Sequence, residues 1–489
     1  MRLSRTAALW VFILLMGENT SYQAQADLDS LDAWVRTMHP APFLRCGEQA
    51  WVEMLDDTRE MWLDANHLER IRATNRLLQV LQDSHSSVSP WHWVFDVERE
   101  YGSIPIQWAI EGRALWVQAS ADSPGIDGTR VLALNGIPAE ACIEAALDLA
   151  CMEGPSVTAT SRNAAHLVTA WVLGTTQRDT LALTLVGPAG LPHDIHLATQ
   201  GWWKSAQGWA QLSPRQPVVD WTFPDGSGLT RRDTRRTTLR TASLHPGAAT
   251  LKITSFASGP WFRYGNRLRK GFSVLQQLNC PLVIDLRGNL GGMSTRMELL
   301  WKSIALERRA LPFALVAKQS TSTLKAQRKG YRGLRKRWVD KHLADSPEAQ
   351  YVHRMVHLPL GSVDTLTFPV HYVLGSTVFR GPVCVLMDGE SASATVSFAG
   401  AFQDTKRGPI MGEPCMGPSV GTMGNPYLKT LPRSGIVVSL ATAVFMAQPC
   451  EAWSTTTPIQ PDILLPSLWN QPKLLEESLA RWIEEAQRP

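Results

Sequence analysis

Between Asp27 and about Val80, apolar residues recur at helical spacing, as Leu28, Leu31, Trp34 and Val35 and later as Leu68, Ile71, Leu77, Leu78 and Leu81. This spacing predicts a helical N-terminal region. From Tyr101 to Pro138 apolar and polar residues alternate around Gly and Asp turns, which predicts strands, and Asn135-Gly136 between two apolar runs predicts a tight turn. Residues 179–197 read as further strands, whereas 201–240 carry Trp202, Trp203, Trp209 and Trp221 among Gly, Pro and Arg without a clear period. Beyond Pro246 short apolar runs at 250–256, 282–286 and 383–387 alternate with helical patterns at 261–278, 295–306 and 394–403. That alternation predicts a largely parallel sheet covered by helices. The expected fold class is α/β, with a helical domain over 27–98, a β-rich region over 99–245 and an α/β domain over 246–489. No internal repeat or low-complexity tract interrupts it.

The first residues place Arg2 and Arg5 before the apolar run 7–16 and the small-residue end Ala24-Gln25-Ala26. This is the order of a secretory signal peptide over 1–26, cleaved after Ala26, with an uncleaved amphipathic anchor as the other reading. Export to the periplasm or the extracellular space is therefore expected. No later run reaches the roughly 20 apolar residues of a membrane span, so no stable span is expected after cleavage. With 44% hydrophobic and 19% charged residues the chain is too apolar to be disordered.

A net charge of +4 on 489 residues argues against a general polyanion partner, so no nucleic acid is expected. The exception is local: Lys318, Lys325, Arg328, Arg332, Arg337 and Lys341 fall in a basic insertion over 310–375. It reads either as a solvated helical face or as a site for an anionic surface or substrate. The seven cysteines are Cys46, Cys142, Cys151, Cys280, Cys384, Cys415 and Cys450. Their odd number leaves at least one free in an oxidising compartment; Cys142 and Cys151 are close enough in sequence for a local bridge. No Cys/His spacing fits zinc, and neither a metal nor a cofactor is expected.

Two segments carry candidate chemistry. Residues 282–292 read as a buried strand, Leu282 to Leu286, running into Arg287-Gly288-Asn289-Leu290-Gly291-Gly292. Such a turn can aim backbone N–H groups at an anion, as an oxyanion hole requires. Residues 385–397 repeat the strand and sharp turn as Asp388-Gly389-Glu390-Ser391-Ala392-Ser393-Ala394 before a helix. A serine there is either a nucleophile at the positive end of the helix dipole or an ordinary N-cap.

Together these segments resemble the tail-specific, or C-terminal processing, protease family, whose relatives include the tricorn protease core and the interphotoreceptor retinoid-binding repeats. The family's Asp-x-Arg-x-Asn-x-Gly-Gly motif corresponds to Asp285 through Gly292, with Asp285 and Arg287 supporting the turn, and its Ser-Ala-Ser-Ala motif to Ser391 through Ala394. The resemblance extends to Gly412-Glu413-Pro414, 431–435 and 459–463, to the Asp83-Ser84-His85-Ser86 segment, and to 101–138. It implies a crotonase/ClpP-like catalytic domain with an N-terminal helical cap and a small, β-rich, PDZ-like domain. By the same resemblance Ser393 is the nucleophile, and the oxyanion donors are Ala394 N–H and one from Gly291 or Gly292.

Where Lys-dependent members carry their general base, this chain has Pro418, and Val396 stands where they carry a glutamate. Proline cannot take a proton, so the resemblance is closer to the tricorn-like branch. There Ser84-His85 supplies the base His85, Glu451 is the acid that orients it, and Lys429 is a reserve base. The implied function is an exported serine endopeptidase working through an acyl-enzyme on protein or peptide substrates. The alternative is a catalytically inactive binding protein on the same fold. A glycan-binding scaffold has only the 19 tryptophans behind it.

Overall fold

The computed structural model describes residues 25–154, 156–187, 190–212, 218–228, 244–257, 261–306, 311–344, 347–370, 378–418, 422–447, 457–466 and 471–488. The signal-peptide reading of 1–26 falls almost wholly outside them. The chain divides into two compact units, one built from residues up to Asp96 with Leu315–Leu366 and Met423–Val444, the other from Val97–Ala314, Thr367–Thr422 and Phe445–Pro489.

In the first unit, residues 25–38 and the segments Glu48–Trp62 and His67–Gln79 are helical. Their apolar stripes, Leu28, Leu31 and Val35 with Trp51, Leu55, Trp62, Ile71, Leu77 and Leu78, are buried. Asn66 starts the third helix through a reciprocal capping box with Glu69. The buried Asp27 carboxylate accepts the N–H groups of Arg433 and Ser434, each at 2.7 Å, and so ties the first helix to a turn more than 400 residues on in sequence. Strand Ser87–Val88 pairs antiparallel with Val437–Leu440, which pairs with Tyr427–Thr430. The basic segment supplies three helices to this unit: α1 (Thr321–Gly330), α2 (Gly333–Lys341) and α3 (Pro347–His357).

The second unit holds a six-stranded sheet of β1 (Val219–Thr222), β2 (Ala249–Ile253), β3 (Leu282–Asp285), β4 (Val383–Met387), β5 (Ile410–Gly412) and β6 (Ile463–Leu464). The strands lie in chain order, antiparallel between β1 and β2 and parallel from β2 onward. Because side chains alternate across a strand, β3 and β4 are buried on both faces. Leu282, Ile284, Val383, Val385 and Met387 face one core, which takes Tyr264, Leu268, Phe272 and Leu275 from the helix Trp261–Leu278 and Met297, Leu300 and Trp301 from Ser294–Ile304. Val283, Cys384 and Leu386 face the other, closed by Leu475, Leu479, Trp482 and Ile483 of the C-terminal helix Pro472–Ala486. The result is a helix–sheet–helix sandwich.

A separate antiparallel sheet of this unit runs Ile106–Glu111, Ala114–Ser120, Arg130–Leu134, Thr180–Val186 and Pro192–Ala198 in that order. The Asn135-Gly136 turn closes the short hairpin from Arg130–Leu134 to Ile137–Pro138, with φ of 48° and 80°, the doubly positive backbone that Asn-Gly favours. The described part of the stretch without a clear period contains a helix, Trp202–Leu212, and strand β1, while 213–217 and 229–240 lie outside the described residues. The described cysteines, Cys46, Cys142, Cys151, Cys280, Cys384 and Cys415, are all unbridged, so the 142–151 pairing does not form; Cys450 lies outside the described residues.

Candidate active site

Strands β3 and β4 are parallel neighbours, with Asp285 opposite Leu386, so the turns that follow them emerge side by side at their C-terminal ends. This is where open α/β sheets place their sites. The turn after β4 leads into helix α4 (Ala394–Asp404), and Ser393 is the residue before its first turn. Ser393 is half-buried, with φ 54° and ψ −118°, and its side chain makes no capping hydrogen bond. The N-cap reading of this serine therefore fails. A non-glycine residue at such backbone angles stores about 1–3 kcal/mol, a cost that the surrounding contacts must hold in place.

Asn289 holds the glycine turn against the serine turn. It is fully buried, and its Nδ2 donates to the Ile253 carbonyl at 3.0 Å. Its carbonyl accepts Ala392 N–H and Thr395 Oγ1–H, both at 3.0 Å. Its Oδ1 accepts the Gly291 N–H at 2.9 Å, so that donor, one of the two expected for the oxyanion hole, is already spent. The Gly292 and Ala394 N–H groups have no hydrogen-bond partner among the described residues. Gly291, at φ 90°, is indispensable for the approach: a methyl group there would lie 2.6 Å from the Ala392 carbonyl oxygen, 2.7 Å from Ser393 Cβ and 2.8 Å from Ala394 N. At Gly292 (φ 135°) a methyl would run into the backbone of Phe256 and Ala257.

Beneath the turns lies a charged network. Asp285 is buried and grips Arg287 twice, at 2.9 Å to Nε and 2.8 Å to Nη2, with Lys252 Nζ at 3.2 Å. Burial alone would raise its carboxyl, but Arg287 and Lys252 outweigh it and hold Asp285 down at about 2. Asp388 accepts the Gly288 N–H on both oxygens, at 3.0 and 3.1 Å, and the Glu390 N–H at 3.1 Å. Burial, with Glu390 and Glu413 nearby, pushes Asp388 up to about 6. Ser391 donates to the Leu286 carbonyl at 3.1 Å and accepts Asp388 N–H at 3.1 Å, so the first serine of its motif is structural. Glu413 pairs with Arg162 at 2.5 Å, and Glu390 with His166 Nε2 at 2.7 Å.

Val396 is fully buried on α4, and Pro418 forms an isolated bridge with Pro458. The buried Glu153 packs so closely on Gly417 that a methyl on that glycine would meet its Cγ at 2.5 Å. Asn289 and Asp388 lie inside the two segments that the sequence singles out, but their roles in joining the turns depend on partners that the spacing does not show.

In the first unit, His85 is partly exposed at the end of a tight turn. Its N–H donates to Asp83 Oδ1 at 2.8 Å, and its Nδ1 lies 3.3 Å from Ser84 Oγ and 3.8 Å from Asp83 Oδ1. Asp83 is buried and also holds His39 Nε2 at 3.1 Å and the Ser86 hydroxyl at 2.5 Å. Burial would raise its carboxyl, but His39 above all keeps it lowered. The backbone around His85 is fixed by strand pairing, with Ser439 Oγ donating to its carbonyl at 2.8 Å. Lys429, the reserve base, has its ammonium 4.5 Å over the Trp34 ring. Glu451 lies outside the described residues.

A strand-turn-helix serine with two unpartnered N–H groups beside it is the arrangement of a serine hydrolase site. Residues 247–465 match the model of peptidase family S41. Among solved structures, mature CPAF is similar at 14% identity, covering 96% of this chain and 99% of that chain with a TM-score of 0.60. A mutant of CPAF is similar at 14% identity over 96% and 99%, with a TM-score of 0.63. Mature CPAF complexed with lactacystin is similar at 14% identity over 95% and 97%, with a TM-score of 0.60. At this identity the likeness shows a shared fold. No curated protein matches the chain.

Proposed function

We propose that the protein is an exported serine endopeptidase of the tricorn-like branch. Ser393 attacks a peptide carbonyl and becomes an acyl ester, and the Gly292 and Ala394 N–H groups hold the oxyanion that forms. His85 takes the serine proton and returns it to the leaving amine, after which water releases the acyl group by the reverse route. Glu451 orients His85 and stabilises its cation. The six-stranded sheet and its helices correspond to a crotonase/ClpP-like catalytic domain, and the antiparallel sheet of 106–198 to a PDZ-like module that grips the substrate.

The observation that carries this reading is the uncapped Ser393, held at a positive φ, with Gly291 packed against it and two unpartnered N–H groups alongside. The test is hydrolysis of an unfolded, fluorophore-quenched protein by the intact chain and by Ser393→Ala. Cleavage that disappears in the variant supports the reading. Cleavage equal in both, or absent from a folded wild-type protein between about pH 7 and 9, where an ordinary imidazole is mostly neutral, contradicts it.

A further inference from the structure

The basic segment sits on α1 and α2 of the first unit with its cations turned outward. Lys325, Arg328, Arg332, Arg335, Arg337 and Lys341 are all exposed. The acid among them, Asp340, is taken by Lys336 at 2.5 Å and by the Tyr331 hydroxyl at 2.8 Å. Helix α2 shows which way it faces, because Val339 is fully buried. At about 100° per residue, Arg337, Lys341 and Leu334 lie within about 40° of the side opposite Val339, and Trp338, about 100° round from Val339, flanks them next to Leu334. Leu334 is 83% exposed and Trp338, whose ring tilts against His342 at 5.3 Å, is 40% exposed, so the two neighbours one turn apart both reach solvent beside the cations. The face therefore joins an exposed Leu–Trp pair to a cluster of cations.

We propose that the outward face of α2, with the cations of α1 around it, is a docking surface for an anionic lipid bilayer. Helix α2, nine residues of which five are charged, would lie along the bilayer surface. Leu334 and Trp338 enter the boundary between headgroups and acyl chains, where an indole is well suited, and the Lys and Arg stems extend their charges to lipid phosphates. A nucleic acid would use the cations but leave Leu334 in water. A protein partner would need a pocket shaped to this knob, whereas a bilayer accepts a convex apolar pair of any shape. Each basic residue near an anionic surface is worth about fivefold in partitioning. The attraction fades beyond about 8 Å at physiological salt.

The experiment is co-sedimentation of the intact chain with vesicles of phosphatidylglycerol and phosphatidylcholine, beside vesicles of phosphatidylcholine alone, at low and high salt. It does not depend on peptidase activity. The expected result is binding to the anionic vesicles only, weakened by salt. The double variant Leu334→Glu/Trp338→Glu and the variant Arg337→Glu/Lys341→Glu should each reduce binding by about tenfold or more, with thermal unfolding unchanged. Failure to bind anionic vesicles at low salt overturns the proposal, as does equal binding to phosphatidylcholine. Wild-type binding by the Leu334/Trp338 variant also overturns it, and if heparin then displaces the vesicles the surface belongs to a soluble polyanion.

Discussion

Replacing Gly291 by alanine tests the oxyanion geometry at its tightest point. The added methyl would sit 2.6–2.8 Å from the Ala392 oxygen, Ser393 Cβ and Ala394 N, where ordinary contact begins at 3.4 Å. Relief requires the glycine turn and the serine turn to separate by about 0.6–0.8 Å, more than the roughly 0.5 Å tolerance of a catalytic constellation. The substitution also forces a side chain onto a residue at φ 90°, which costs about 1–2 kcal/mol of stability. A misplacement of about 1 Å or the loss of one oxyanion donor each lowers turnover by about 100-fold, equivalent to about 2.7 kcal/mol of transition-state stabilisation. Steady-state hydrolysis of a fluorogenic peptide should therefore show kcat falling by about 100-fold with KM moving little, because the substrate's remote contacts are untouched. Denaturant unfolding of the same sample reads the stability cost separately. A folded Gly291→Ala protein with kcat within about threefold of wild type would refute the claim that this contact sets the hole.

Four further outcomes follow from the same geometry. Asn289→Ala removes the side-chain links to Ile253 and Gly291 from a fully buried site, and should lower stability by about 2–3 kcal/mol in urea unfolding while also depressing turnover. Asp388, ordinarily near 3.8 and raised to about 6 in the folded protein, binds its proton more tightly folded than unfolded. Stability should therefore fall as pH rises from about 4 to 6, by up to about 3 kcal/mol, and urea midpoints of Asp388→Asn should lose most of that slope. Asp285, lowered to about 2, contributes stability that is present above the ordinary carboxylate value and is lost as pH falls toward 2. Arg287→Ala leaves that buried carboxylate with Lys252 alone and should cost about 3–5 kcal/mol at neutral pH, read by thermal or chemical unfolding.

Local patterning in the sequence foretold the six-stranded sheet well. The apolar runs at 250–256, 282–286 and 383–387 are β2, β3 and β4, and the helical pattern at 394–403 is α4 to within a residue. Those segments are buried on both faces or strongly amphipathic, so hydrophobic burial overrides competing preferences. The Asn135-Gly136 turn was legible because few other pairs tolerate its backbone. What could not be read depends on partners distant in the chain. Ser87–Val88 is a strand through pairing with Val437–Leu440, and Asp27 is buried because Arg433 and Ser434 supply its donors. At the site, the motif pointed to Gly291 and Gly292 alike. Which N–H stays unpartnered is decided by the Asn289 side chain folding back onto Gly291, a choice of rotamer that no spacing encodes.

The most direct test of the central claim, an activated Ser393, is labelling of the purified protein with a fluorophosphonate probe, with the adduct located by mass spectrometry, in wild type, Ser393→Ala and His85→Ala. The account predicts a single adduct on Ser393, absent from Ser393→Ala and slowed by about 1,000-fold or more in His85→Ala, because a serine without its base is a weak nucleophile. A folded protein that takes no label at neutral or alkaline pH would contradict it, as would labelling of Ser393 at an unchanged rate without His85.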